Sequence, residues 1–211
     1  MKKKGILIVV SGFSGAGKGT IVKELMSNYP DSYALSISAT TRNPRPGEED
    51  GREYFFRTHD EFEEMIHQDA LIEHAVYVNN YYGTPKAYVE EQLNIGKDVI
   101  LEIEIQGALK IKEKFPDTLL LFVSTPTADT LKKRLVGRGT EDMDTIHARL
   151  SRAVQEAEGI ENYDYFVIND ELEACVEEVH AIVSSEHSRV SRNINLINHI
   201  REELAGFSEG E

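Results

Sequence analysis

The chain has 211 residues, 40 % of them hydrophobic, which suits one domain with a sizeable core better than two independent domains. Its net charge of −14, from 23 basic and 37 acidic residues, argues against a protein whose main work is gripping a nucleic-acid backbone, so any anionic ligand must be held by a local concentration of Lys and Arg. The one cysteine, Cys175, has no mate for an internal disulfide and is expected as a buried thiol within a helix, and the seven histidines show no metal-ligand spacing, so no zinc site is expected.

Met1-Lys2-Lys3-Lys4 ahead of Gly5-Ile6-Leu7-Ile8-Val9-Val10 has the charge order of a signal peptide, yet the apolar run is short and breaks into Ser11-Gly12. It reads as a buried first strand. No apolar stretch approaches the roughly 18 residues that span a bilayer, and the expectation is a soluble cytoplasmic protein with no membrane partner. Apolar runs at 5–10, 99–105, 118–124 and 165–168 suit buried parallel strands, with amphipathic segments of helix length between them. That alternation indicates an α/β fold. Helices are expected from Lys18 to Asn28 and from Thr127 to about Val136. A short one should run from Thr84 as N-cap, with Pro85 at the first helical position, to Ile95 and a closing Gly96.

Residues 35–84 interrupt this rhythm with strand-like Leu35 to Ser38, a loop from Pro44 to Gly51, Tyr54-Phe55-Phe56, and Leu71 to Val78. Within them Thr58 and Glu61 have capping-box spacing before the Phe62, Met65, Ile66 face of a small helix. The expected organisation is therefore a core of 1–34 and 85–190, a substrate-binding insert at 35–84, a charge- and glycine-rich lid at about 137–144, and a C-terminal helix and tail at 191–211. The tail carries an amphipathic run through Ile194, Leu196, Ile197 and Ile200.

Directly after the first strand stands Gly12-Phe13-Ser14-Gly15-Ala16-Gly17-Lys18-Gly19-Thr20, a G-x-x-x-x-G-K phosphate-binding loop in a strand-to-helix setting. Its glycines let successive N–H groups converge on phosphate oxygens, the helix start adds its positive end, and Lys18 supplies a point charge. This is the loop of a P-loop NTPase-type parallel core and points to ATP. Gly19 stands where the strict motif has Ser or Thr, leaving Thr20 as the first hydroxyl, and the G-K-G-T ending is the form of nucleoside monophosphate kinases.

Ser36-Ile37-Ser38-Ala39-Thr40-Thr41-Arg42-Asn43-Pro44-Arg45-Pro46-Gly47-Glu48 resembles the S-x-T-T-R-x-x-R-x-G-E signature of the guanylate kinase family. The resemblance continues through Gly51 to Phe56, Ile72-Glu73, Asn80 to Thr84, Leu101 to Gly107, Leu131 to Leu135, Arg138 to Glu141 and Val167 to Asp170. It implies an ATP:GMP phosphotransferase of purine nucleotide metabolism using Mg²⁺, present as a monomer or homodimer. It also implies a mixed, β-rich GMP-binding insert in which Ser38, Arg42, Arg45, Tyr54 and Tyr82 hold the GMP phosphate while Glu73, Thr84 and Glu104 read the base. Arg134, Arg138 and Arg149 resemble the arginines that close over ATP, and Asn169 is a candidate adenine contact.

The chemistry suits those residue types. A phosphomonoester dianion wants forked, charge-assisted donors, and Arg42 with Arg45 offers two guanidiniums from one loop. Guanine shows two donors, N1–H and the 2-amino group, where adenine offers an acceptor and no amino group; carboxylates only accept, so Glu73 and Glu104 favour guanine. Alternation along the expected strand 99–105 puts Glu102 and Glu104 on one face near its C-terminal end, with Glu102 and Thr20 the candidates to hold magnesium through water. The acceptor oxygen is already ionised near neutral pH, so no general base is expected. Two departures stand out: Phe13 where the family has proline, and Glu102 and Glu104 where many relatives have aspartate. The competing readings are a catalytically silent guanylate-kinase-like module that binds a phosphopeptide, and a kinase of another small phosphorylated acceptor.

Overall fold

The computed structural model describes residues 3–77, 79–137 and 143–208. In chain order the elements are β1 (Leu7–Gly12), α1 (Lys18–Asn28), β2 (Tyr33–Leu35), β3 (Ala39–Thr40), β4 (Phe55–Phe56), α2 (His59–His67), β5 (Leu71–Tyr77), β6 (Asn80–Pro85), α3 (Lys86–Asn94), β7 (Asp98–Glu102), α4 (Ile105–Lys114), β8 (Leu119–Ser124), α5 (Ala128–Gly137), α6 (Met143–Ala157), β9 (Tyr165–Ile168), α7 (Leu172–Glu186) and α8 (Ile194–Ser208).

The main sheet has the order β2-β7-β1-β8-β9 with every pair parallel, as expected for an α/β core. The middles of its central strands β1, β7 and β8 are apolar because helices cover both faces there. Period-two alternation sends Ile8 and Val10 of β1 to one side, against Ile21, Val22 and Leu25 of α1 and Val176, Val179 and Val183 of α7. Val9 points to the other, against Val89 and Leu93 of α3 and Ala108 and Ile111 of α4. Cys175 is buried in α7, as expected, and burial pushes its thiol up to about 11. No helix among the described residues is long and apolar enough to cross a membrane.

A second sheet of order β4-β3-β6-β5 stands beside the core, with β3 parallel to β4 and antiparallel to β6, and β5 antiparallel to β6. Its own small core joins Ala39, Phe62 and Leu71. α2 starts with the expected capping box: Thr58 Oγ1 accepts from Glu61 N–H at 3.2 Å, and Glu61 Oε2 accepts from Thr58 N–H at 2.7 Å.

Several expectations are corrected. The strand expected at 99–105 ends at Glu102, so Glu104 does not share a strand face with it; Glu104 is the N-cap of α4, because the chain turns at Ile103 to begin a helix. Thr84 is not the cap of α3: Pro85 takes that place and Thr84 stays in β6, its hydroxyl occupied by another partner. Of the segment Leu35 to Ser38, only Leu35 is in a strand, and that strand, β2, belongs to the main sheet.

Asp98, only 5 % exposed at the start of β7, holds three elements together. It accepts the Ile6 backbone N–H at 2.7 Å, and both its oxygens lie 2.9 Å from Nε2 of His187 beyond α7. Asp98→Ala strands a buried N–H and should cost about 2 kcal/mol. Asp98→Asn keeps an acceptor and should cost less, which paired urea denaturation curves would read directly.

Candidate active site

Because the main sheet is all parallel, the C-terminal ends of β1, β7, β8 and β9 meet along one edge, where open α/β sheets bind ligands. The loop leaving β1 follows a path that side chains forbid. A Cβ on Gly12 would come within 2.0 Å of the Val123 carbonyl oxygen on β8, and Gly17, which caps α1, sits in the left-handed region at φ +94. The curled loop leads directly into the start of α1, whose positive end favours an anion.

Three side chains brace it. Asn169, buried after β9, donates to the Ala16 carbonyl at 2.7 Å, and Arg134 of α5 reaches the same carbonyl at 3.4 Å. Arg149 of α6 donates to the Ser14 hydroxyl. Lys18 Nζ lies over the loop, donating to the carbonyls of Gly12 at 2.8 Å and Phe13 at 3.3 Å. The Phe13 ring points away from the loop's concave side, packing edge-on against Phe122 at 5.1 Å and against the apolar contact between α5 and α6. Thr20 is exposed in the first turn of α1. The Glu102 carboxylate borders the same turn, since a Cβ on Gly19 would touch its Oε2 at 3.5 Å.

Two clefts open from this edge. One, of about 420 Å³, is lined by Gly12, Ser14, Lys18, Arg149, Arg152 and the segment Glu102 to Ile105. The other, of about 700 Å³, lies between the core and the second sheet and is lined by Ser38, Tyr54, Glu73, Tyr82 and again Glu102 to Glu104. The clefts therefore share a wall. A larger cavity of about 790 Å³, near Leu7, Thr118 and Leu196, lies at the opposite end of β1 and β8, away from the phosphate loop.

In the second cleft Glu73 is the most desolvated carboxylate. Burial pushes it above the usual carboxyl range, and the Thr84 hydroxyl, donating to its Oε1 at 2.8 Å, pulls it partly back. Thr84 itself is fully buried, so it stands behind Glu73 and orients it. Arg42 lies over the Tyr54 ring at 5.3 Å and pairs with Glu48 through both nitrogens, Nη1 and Nη2, at 3.0 Å each. The Glu48 hydrogen bonds, and to a smaller degree Tyr82, hold its guanidinium above the ordinary value. Glu48 Oε2 also accepts the Arg45 backbone N–H at 2.7 Å, so one carboxylate shapes the whole loop. The Arg45 side chain is exposed and does not line the cleft.

Among the described residues Lys18, Arg134, Arg149 and Asn169 stand at the phosphate loop, Ser38, Tyr54, Glu73, Tyr82 and Glu104 line the second cleft with Thr84 behind Glu73, and Arg42, over the Tyr54 ring, is like Arg45 not among the lining residues. Arg138 and residues 138–142 of the expected lid lie outside the described residues. Sequence reasoning missed Glu48, although it stood in the quoted signature, and also Arg152 and Glu156 of α6. The signal for Arg152 was its spacing of three from Arg149, one helical turn away.

Among the described residues no cluster of three His, Cys, Asp or Glu side chains forms a metal cage. A hard cation carried on nucleotide phosphates needs only one or two protein oxygens, and the Glu102 carboxylate beside the first turn of α1, with the Thr20 hydroxyl, is a donor set of that kind.

The chain matches the family model described as guanylate kinase over residues 4–186. It is 48 % identical over 204 residues to the guanylate kinase of Lactococcus lactis, covering 97 % of this chain and 99 % of that protein. It is 50 % identical over 203 residues to the guanylate kinase of Caldanaerobacter subterraneus, covering 96 % and 98 %. Its fold is similar to the crystal structure of guanylate kinase from Anaplasma phagocytophilum, with a TM-score of 0.69, 28 % identity and 91 % of each chain covered.

The raised Glu73 carboxyl has a stability consequence with a definite sign. A carboxyl raised by folding contributes stability that is present below its unfolded value and is lost as pH rises through the folded one. Glu73→Gln, which keeps an acceptor for Thr84, should therefore raise the melting midpoint at neutral pH. The gain should vanish near about pH 4, below the unperturbed glutamate value, as calorimetry across pH would record.

Proposed function

The chain belongs to the guanylate kinase family, and we propose that its two clefts divide the work of an ATP:GMP phosphotransferase between a donor side and an acceptor side. It moves the γ-phosphoryl group of ATP onto GMP, giving ADP and GDP. The observation that supports the division is the shared wall: Glu102 to Glu104 borders both the cleft at the phosphate loop and the cleft of the second sheet, so the donor and acceptor sides adjoin.

On the donor side the amides of Gly12 to Lys18 and the Lys18 ammonium take the ATP phosphates, with Arg134, Arg149 and Arg138 adding positive charge. The Asn169 amide is spent on Ala16, which supports a bracing role for it in addition to any contact with adenine. Thr20 and Glu102 would hold Mg²⁺, which when bound neutralises phosphate charge.

On the acceptor side Ser38, Tyr54, Tyr82 and Arg42, with Arg45 on the outer part of the loop, bind the GMP phosphate. Glu73 and Glu104 accept from guanine, and Thr84 acts by fixing Glu73. A phosphate oxygen of GMP attacks the γ-phosphorus while the bond to the β–γ bridging oxygen breaks, and that oxygen leaves with the electron pair on ADP. The transition state is loose, so positioning and electrostatics supply the rate, and no side chain has to remove a proton. An intact loop bearing Lys18 and its glycines favours this enzyme over a silent phosphopeptide module.

A coupled ADP-release assay with ATP and GMP, AMP, UMP or dTMP tests the reading. GMP should be preferred by about 10⁴-fold over AMP, the penalty for buried acceptors left unpaired; comparable rates with AMP would refute guanine selection. Lys18→Ala should lower kcat by about 10²- to 10³-fold. Its GMP affinity, read by equilibrium dialysis, should stay near that of the wild type, and lost GMP binding would contradict the division into donor and acceptor sides.

A further inference from the structure

α6 carries charged side chains at 149, 152 and 156, spacings of three and four that place them along one face. Arg149 is bonded to Ser14 of the phosphate loop. Arg152 reaches a different place: its Nη2 is bonded to Glu104 Oε2, at the start of α4, while its Nε donates to Glu156 Oε1 at 3.2 Å. The neighbouring face of α6 is fixed, with Ile146 buried against Leu131 and Leu135 of α5 and with Leu150 and Phe13 packed on that cluster.

Glu104 needs such a partner. It is the N-cap of α4 yet makes no side-chain bond to that helix, and its side chain is 68 % exposed, so nothing in its own segment selects a rotamer. Glu156 is the inward end of the network at 18 % exposed, and its carboxyl is raised first by burial and further by the charge of Glu104, while Arg152 lowers it. One guanidinium therefore separates two carboxylates that repel each other and holds the outer one at the wall shared by both clefts.

We infer that Arg152 is a positioning residue for guanine recognition: it holds Glu104 in place for the base and ties that carboxylate to the helix whose Arg149 touches the phosphate loop. The inference rests on the reading of Glu104 as a base contact. Ordering a freely rotating acceptor before the ligand arrives improves affinity by removing an entropy cost from binding.

Steady-state kinetics on the full chain test it. Arg152→Ala should raise KM for GMP about three- to fivefold, which is about 0.7 to 1 kcal/mol at 1.4 kcal/mol per tenfold and matches an exposed ion pair. KM for ATP and the melting midpoint should not move. Arg152→Lys should restore most of the GMP affinity. In a Glu104→Gln background the same Arg152→Ala change should add nothing. An unchanged or lowered KM for GMP in Arg152→Ala, an effect on ATP instead, or a full effect persisting in Glu104→Gln would each overturn the inference while leaving the acceptor-side reading intact. If Glu104→Gln by itself leaves KM for GMP unaltered, the base-contact reading of Glu104 fails, and the inference falls with it.

Discussion

Parallel pairing is the constraint on which the site depends. With β7, β1, β8 and β9 all running the same way, their ends deliver Glu102, the phosphate loop, Ser124 and Asn169 to one edge without any long connection. The closeness of the strands then dictates the loop's path: Gly12 lies so near the Val123 carbonyl that no side chain fits, and the chain must curl. The braces on Ala16 from Asn169 and Arg134 hold that curl from two other elements, so the geometry that meets phosphate belongs to the sheet as much as to the loop.

An acidic protein that handles two polyanions has to manage its few cations, and here that is done with carboxylates. Glu48 clasps Arg42 and the Arg45 backbone, and Glu104 and Glu156 clasp Arg152. The exposed Arg152–Glu104 pair adds little stability. What such pairs do is limit the conformations of long side chains. Glu73 is the opposite case: it is desolvated at a cost to the fold and held by the Thr84 hydroxyl.

Phe13 illustrates how a bulky residue is accommodated in a phosphate loop. Its backbone stays in the loop, while its ring leaves the phosphate side and joins the contact between α5 and α6. The loop thereby gains an apolar tie to the helix that bears Arg149 and Arg152.

The sequence by itself determined the parts whose signals are local. Continuous apolar runs marked β1, β8 and β9, glycines before Lys18 marked the phosphate loop and the start of α1, and Thr58 with Glu61 marked α2. The residues expected in the acceptor cleft came from the resemblance to guanylate kinases, and their forked cations, hydroxyls and carboxylates suit a phosphate and a guanine. Tertiary structure decided the rest. β6, with Gly83 and Pro85 in a short polar run, has no strand signature and exists because β3 and β5 offer ladders on either side. Glu104 reads as a strand residue from alternation alone, but the turn at Ile103 makes it the cap of α4. Its partner, 48 residues later on α6, is invisible to any local pattern. Periodicity reports which face of an element is apolar, whereas the meeting of Arg152 with Glu104, or of Thr84 with Glu73, depends on how separate elements pack, and no window of sequence contains that information.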